Sequence, residues 1–252
     1  MRSRWTGALA IGLGTAALWL HSPTSQAQGA GDSIRVPARQ AQATPPSLNL
    51  PALPAAAESI SPLVLTVTTR WEESGKTLRT LRQTVTRTRD RVRVTLDGTE
   101  REWLFLQNAV DHRRVTASLI DHKSKHILVY DESDLRNAQG VRGWLDVLTL
   151  RLDSRAVNTL RNTGRRETVA GLEFVEHVRD AASGTDGIVD VWWSESHLFP
   201  LRFSVREGRV LAISEVQIGR APIDESVLAA ASVRFPQYAV VDIADAREGG
   251  SH

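Results

Sequence analysis

Alternation of apolar and polar residues dominates the chain from residue 61 to residue 130. In SPLVLTVTTRWEESGKTLRTLRQTVTRTRDRVRVTLDG, apolar or β-branched side chains recur at every second position, and glycine-containing turns interrupt the pattern. Successive side chains of a strand point to opposite faces, so this period predicts β-strands. Short turns at 73–76 and 97–98 predict antiparallel neighbours. We expect about six consecutive strands here, arranged as a meander.

A different period begins near Ser133. SDLRNAQGVRGWLDVLTLRLD places its apolar side chains on one helical stripe, although Gly140 and Gly143 weaken the start of the helix. Strand patterning returns from 164 to 219, a short helix is predicted after Asp224, and FPQYAVVDIA closes the domain. These elements predict an α+β fold: a large curled antiparallel sheet, or half-barrel, of about ten strands that encloses one main helix.

The ends of the chain differ in composition from its middle. Residues 1–27 combine a basic start, an apolar run and a small-residue cleavage site, which predicts a secretory signal peptide; a retained membrane anchor is the alternative. Residues 28–60 are rich in Ala and Pro and lack aromatic residues, which predicts a disordered tether. The folded domain is expected at 61–243 and a polar tail at 244–252. After signal cleavage we expect a soluble periplasmic or secreted bacterial protein.

Charge and cysteine content argue against two classes of protein. Removal of Arg2 and Arg4 with the signal peptide leaves 29 basic residues against 29 acidic residues, so nucleic-acid binding lacks electrostatic support. The chain has no cysteine. It therefore has neither a disulfide nor a lipid-attachment cysteine, and its fold depends on the core alone.

The common catalytic motifs are missing from the sequence. It has no nucleophile elbow, no phosphate-binding glycine loop and no H-E-x-x-H. The nearest metal-ligand pattern contains His122 and His126, but lysines between them would repel a cation. Asp190 and Glu195 lie at a spacing that places them on opposite faces of a strand. We therefore expect no enzyme activity, no cofactor and no metal.

The tryptophans carry the most functional information. In REWLFLQ, Trp103 and Phe105 share one strand face while Leu104 and Leu106 share the other, so both faces are apolar. A half-exposed sheet is polar on one face. Strands of this kind need cover on both faces, from a second layer of the protein, a membrane, a partner or a ligand. The candidate residues for lining a ligand site are Trp71, Trp103, Phe105, Trp144, Trp192 and Phe203.

Neighbouring residues Trp192 and Trp193 must point to opposite faces of one strand. Trp193 has the parity of Val189 and Val191, which favours an inward position for Trp193. Trp192 shares the parity of Asp190 only at the start of the strand. We predict that Trp192 faces inward, although the parity of Trp193 with Val189 and Val191 favours the opposite assignment.

Three stretches resemble the LolA-like superfamily of periplasmic lipoprotein carriers, which also contains the sensor domain of the sigma-E regulator RseB. They are RETVAGLEFVEHVR, VDVWWSESHLFPLRFSV and VRFPQYAVVDI, and the resemblance covers most of residues 63 to 243. It implies a curled antiparallel sheet around a helix, with a hydrophobic cavity for acyl chains or a lipoprotein. No functional residue is carried over, because the first strands here are unusually rich in Arg and Thr.

We expect a non-enzymatic protein of the bacterial envelope that binds an apolar ligand between sheet and helix. The ligand would be a lipid, an acyl chain or a lipidated protein. The alternative is an envelope sensor or protein–protein interaction module without a small ligand, whose contacts would involve residues 87–93. A hydrolase or metal protein is the third hypothesis.

Overall fold

The computed structural model describes residues 52–152, 154–180, 186–219 and 222–243. The predicted signal peptide, most of the predicted tether and the predicted polar tail lie outside these residues. Within the described ranges, no helix has both the length and the apolar character needed to cross a membrane.

Twelve strands form one sheet. In chain order they are β1 (Leu63–Glu73), β2 (Lys76–Arg87), β3 (Arg91–Leu96), β4 (Arg101–Gln107), β5 (Val115–Asp121), β6 (His126–Tyr130), β7 (Arg161–Val169), β8 (Leu172–Val178), β9 (Gly187–Ser194), β10 (Phe199–Glu207), β11 (Val210–Gly219) and β12 (Ala239–Asp242). Their order across the sheet is β12-β6-β5-β4-β3-β2-β1-β11-β10-β9-β8-β7. Neighbours are antiparallel, except that β12 runs parallel to β6. The predicted large sheet is confirmed, but it has twelve strands rather than about ten, and one pair is parallel.

Tight turns produce the predicted meander. Ser74 and Gly75 join β1 to β2 with φ angles of 51° and 77°, and Ala170 and Gly171 join β7 to β8 with 53° and 82°. Positive φ at both central residues matches the right-handed twist of the strands, and glycine adopts it without steric penalty. The β1–β2 turn lies where the sequence predicts it, at 73–76.

The structure corrects the prediction of one main helix. Its helices are α1 (Glu132–Gln139), α2 (Trp144–Leu148), α3 (Ser154–Asn158) and α4 (Ala231–Arg234), with 3-10 helices at Ala55–Ser59 and Glu225–Leu228. Gly140 ends α1 in the left-handed conformation, with φ of 67°, and Leu150 and Arg151 also have positive φ beyond α2. The apolar stripe is real, but these backbone breaks divide it between α1 and α2, and α3 follows directly after it; the three short helices are here called the covering segment (α1, α2 and α3).

The ordered structure begins before the predicted domain boundary at residue 61. Residues 55–59 form a 3-10 helix, and Ala57 and Ile60 are buried in the main core. Two apolar side chains in this Ala- and Pro-rich stretch are therefore enough to attach its last residues to the domain, whereas the composition alone predicts an extended tether.

Each face of the sheet carries its own apolar cluster. On the inner face, which we define as the face covered by α1, α2 and α3, residues such as Val67, Val85 and Trp103 pack with the helices. On the outer face, Leu104, Ile120 and Ile127 pack against the chain after β11. The strands with two apolar faces therefore have protein on both sides, as one of the alternatives from the sequence predicts.

Candidate functional site

Five of the six predicted lining residues come together on the inner face. Trp71, Trp103, Phe105, Trp144 and Phe203 are all buried and belong to the main cluster. Strand register explains their grouping: Trp103 pairs with Leu119 on β5, and Trp71 pairs with Ala212 on β11. Trp144 contributes from α2. The interior between sheet and covering segment is thus rich in aromatic residues.

Trp192 is also buried in the main cluster, but the strand register sets it on the opposite face from Phe203 and Val191, so the prediction that it faces inward is wrong. It pairs with Arg202 on β10 and Glu176 on β8. The Arg202 and Arg165 guanidinium carbons lie 4.4 Å and 5.6 Å from the centre of the Trp192 ring. The two arginines shield the ring on the outer face, since long cationic side chains cover aromatic surface well.

Trp193 takes the inward position that the prediction gives to Trp192. Val191, two residues earlier, pairs with Phe203 on β10, so the even spacing along β9 places Val191 and Trp193 on the inner face. In the sequence, Trp193 lies an even number of residues from Val189 and Val191, and this spacing indicates its inward position. Asp190, at the polar start of β9, is a weaker guide to orientation. The pairing of β9 with β10 changes register between Ser204 and Val205, which disturbs the alternation of side chains there.

The inner face also holds polar groups in its centre. The Thr69 and Ser214 hydroxyls hydrogen bond across β1 and β11 at 2.9 Å, and both residues are buried. Gln83 on β2 is 1% exposed. Its amide oxygen and nitrogen have no hydrogen-bond partner among the described residues, and neither do the indole nitrogens of Trp71 and Trp144. Sequence reasoning missed Gln83, although a polar residue at an apolar position of a period-two strand is a readable signal.

Arg87 is a buried cation at the end of β2, on the parity of Gln83 and Val85. Its side chain has 0% exposure. It donates one hydrogen bond to the Leu148 carbonyl oxygen at 2.8 Å and another to the His197 carbonyl oxygen, and it lies 4.8 Å from the centre of the Phe199 ring. Burial lowers the pKa of Arg87 to about 9, because desolvation disfavours the charged guanidinium. Arg87 therefore connects α2 to the β9–β10 turn.

We expect replacement of Arg87 by methionine to loosen the covering segment selectively. Met keeps most of the apolar volume but removes the donors to the Leu148 and His197 carbonyl oxygens. Hydrogen bonds from a charged donor contribute about 1.5–3 kcal/mol each, so amide hydrogen exchange in α2 should accelerate by about ten-fold or more. Hydrogen-exchange mass spectrometry measures this. Arg202→Met, an exposed arginine on the outer face, is the matched control, and equal exchange of α2 in both variants would contradict the role of Arg87.

The arginine-rich stretch 87–93, expected to be a partner surface in the alternative hypothesis, is divided between the interior and the surface. Arg87 is buried, and the Arg93 Nε donates to Glu102 Oε2 at 2.6 Å. Arg91 donates to the Leu228 carbonyl oxygen, but Arg89 and Arg91 are both exposed.

The groups considered for catalysis and metal binding have other neighbours. His122 Nδ1 lies 3.1 Å from the Tyr238 hydroxyl, and Ser204 donates to Asp190. Ser196 Oγ lies 2.8 Å from His197 Nδ1, but no described carboxylate hydrogen bonds to that imidazole. Burial, and then the charge of Arg87, lower the pKa of His197. In the described part of the chain, no three His, Asp or Glu side chains form a group that could hold a metal ion.

No family model matches the chain, and no curated protein matches it. Solved structures with a similar fold include the MucA/MucB complex of Pseudomonas aeruginosa (15% identity, TM-score 0.37, 70% of this chain and 58% of that chain). A LolA superfamily protein from Nitrosomonas europaea is 9% identical, with a TM-score of 0.34 over 69% of this chain and 94% of that chain. A DUF1329 family protein from Desulfovibrio piger is 8% identical, with a TM-score of 0.32 over 70% of this chain and 92% of that chain.

These comparisons concern the fold alone. A LolA superfamily protein is among the similar structures, which is the superfamily that the sequence motifs resemble. The chain spans little more than half of the chain that it matches in the MucA/MucB complex. Because the TM-scores lie below 0.5, the proposals that follow are argued from the residues of this protein.

Proposed function

We propose that this protein is a non-enzymatic binding protein of the bacterial envelope, which holds an apolar or amphipathic ligand between the inner face and the covering segment. The ligand class is a lipid or other acyl chain, free or attached to a protein. The location in the periplasm rests on the signal peptide predicted at 1–27. The observation that carries the proposal is the set of buried polar atoms without partners on an otherwise apolar inner face.

The inner face has the chemistry that an acyl chain needs. Trp71, Trp103, Phe105 and Phe203 present apolar surface from three different strands, β1, β4 and β10. Burial of each CH₂ group contributes about 0.8 kcal/mol, so a long chain gains affinity without any precisely placed polar contact. A site of this kind needs no sequence motif, which is consistent with a chain that lacks the common ones.

The covering segment supplies a route into this interior. Its three helices have eight, five and five residues, whereas an isolated helix is marginal in water below about 12–15 residues. The segment therefore depends on its contacts with the sheet and with Arg87. Local opening of such a segment requires less free energy than global unfolding, so a ligand can enter while the sheet stays intact.

Displacement of the neutral dye N-phenyl-1-naphthylamine tests the proposal. The dye should fluoresce strongly on binding, and C12 amphiphiles should displace it. Native mass spectrometry of the protein purified from cells should show bound lipid. Phe203→Ala on the inner face should weaken dye binding by about ten-fold, whereas Leu104→Ala on the outer face should leave it unchanged at a similar loss of stability. A ligand-free mass together with no dye binding would overturn the proposal.

A further inference from the structure

Gln83 is a polar residue at a buried position of the inner face whose neighbours across the sheet are apolar. It lies on β2 opposite Val67 on β1 and Leu96 on β3, so apolar side chains flank it in both directions across the sheet. The side chain is almost completely buried. Within the described residues, neither its amide oxygen nor its amide nitrogen has a hydrogen-bond partner.

A primary amide offers two donor hydrogens and an acceptor oxygen with two lone pairs. Buried polar groups in native proteins are nearly always hydrogen bonded, and an unpaired group destabilises the fold. Thr69, a diagonal neighbour of Gln83 across β1 and β2, follows this rule, because it is paired with Ser214. A leucine would occupy a similar volume at position 83 without the desolvation penalty. Gln83 is therefore unfavourable for folding and needs another explanation.

The surroundings define what could complete the hydrogen bonds of Gln83. The indole N–H of Trp71 on the same face has no acceptor among the described residues either. A complementary group must both accept and donate, as an amide or a hydroxyl does. A carboxylate only accepts, so it could satisfy the N–H groups of Gln83 and Trp71 but would leave the Gln83 amide oxygen without a donor. The geometry favours an uncharged head on an apolar chain.

We propose that the Gln83 amide is the polar recognition point of the interior site and binds the uncharged amide or hydroxyl group of an acyl ligand. This inference rests on the proposed function, because the apolar part of the ligand lies on the inner face described above. It adds the chemical class of the head group, which the apolar lining leaves undefined.

Four C12 competitors of the bound dye test the head-group preference: dodecanamide, 1-dodecanol, 1-dodecene and dodecanoate. In the unmodified protein, the amide and the alcohol should displace the dye at concentrations about ten-fold lower than dodecene and dodecanoate. In Gln83→Leu, the preference should fall to within about two-fold, because the lost hydrogen bonds affect only the first two ligands. Gln83→Leu should also raise the melting temperature by about 2–6 °C.

Two further variants keep the test decisive. Gln83→Asn retains the amide but withdraws it by one CH₂ group, so it should weaken the preference even where Gln83→Leu folds poorly. Leu104→Ala, on the outer face, should keep the preference at lower stability. Retention of the full preference in Gln83→Leu or Gln83→Asn would overturn the inference. A buried water, and not the ligand, would then be the hydrogen-bond partner of Gln83. Absence of displacement by all four compounds would instead overturn the proposed function.

Discussion

Replacing Glu102 with alanine should lower the free energy of unfolding by about 3–5 kcal/mol. The Glu102 side chain is 2% exposed and lies on the outer face. It accepts from Arg93 at 2.6 Å and forms an ion pair with Arg234 at 2.7 Å, with His122 Nε2 at 3.9 Å. Loss of the carboxylate leaves two partly buried guanidinium groups without their counterion, and removal of one member of a buried ion pair is strongly destabilising.

Urea denaturation measures the effect of Glu102→Ala, and an exposed ion pair provides the control. Glu215 pairs with Arg70 at 3.4 Å with both side chains exposed, so Glu215→Ala should change stability by less than about 0.5 kcal/mol. A double-mutant cycle with Arg234→Met assigns the coupling to the Arg234 pair. Equal and small effects of Glu102→Ala and Glu215→Ala would show that the outer layer is held by apolar contacts alone.

Alanine replacement of the two adjacent tryptophans should give different results. Trp193→Ala leaves a cavity on the inner face and should lower the free energy of unfolding by about 3–5 kcal/mol. Trp192→Ala should lower it by about 1–2 kcal/mol, because the flexible Arg165 and Arg202 side chains can collapse over the vacated surface. Dye affinity should fall only for Trp193→Ala, since Trp192 lies on the outer face.

Thermal denaturation and dye titration of both tryptophan variants check this difference. The two residues are 2% and 5% exposed, so a scale based on burial alone predicts nearly equal losses for them. Equal losses of stability and affinity would contradict the assignment of the two residues to opposite faces.

The strands and turns are the part of this fold that the sequence predicts well. Period-two alternation locates β1 to β6, and the glycine turns at Gly75 and Gly98 set the antiparallel neighbours, because both signals are local. The division of the predicted helix is harder to predict. Gly140 and Gly143 show that it is weak, but the positive φ angles beyond α2 fall on Leu150 and Arg151, residue types that rarely adopt this conformation, so the sequence carries no local signal for this break.

The candidate site is predicted less completely than the fold. Aromatic residues on the strands and on the predicted helical stripe identify five inner-face residues, since large apolar side chains are usually buried. Trp192 is misplaced because an aromatic residue shielded by Arg165 and Arg202 resembles a core residue in sequence. Gln83 and Arg87 are missed because each looks like an ordinary polar position of an Arg- and Thr-rich strand. Gln83 matters because its amide has no hydrogen-bond partner among the described residues, and Arg87 matters because it reaches the Leu148 and His197 carbonyl oxygens. A single sequence shows neither fact.

The strand order makes β1 the junction between two separately connected halves of the sheet. On one side, β1 to β6 follow each other through local turns, and on the other side so do β7 to β11. Within the sheet these halves pair at β1 and β11, while β12 returns to pair with β6, and the Thr69–Ser214 bond across the β1–β11 seam joins residues 145 positions apart. During synthesis, the first half can assemble while the second is still absent, whereas the seam must await the last part of the domain. Pairings over such sequence distances form slowly, so the edge of β1 stays open until β11 arrives.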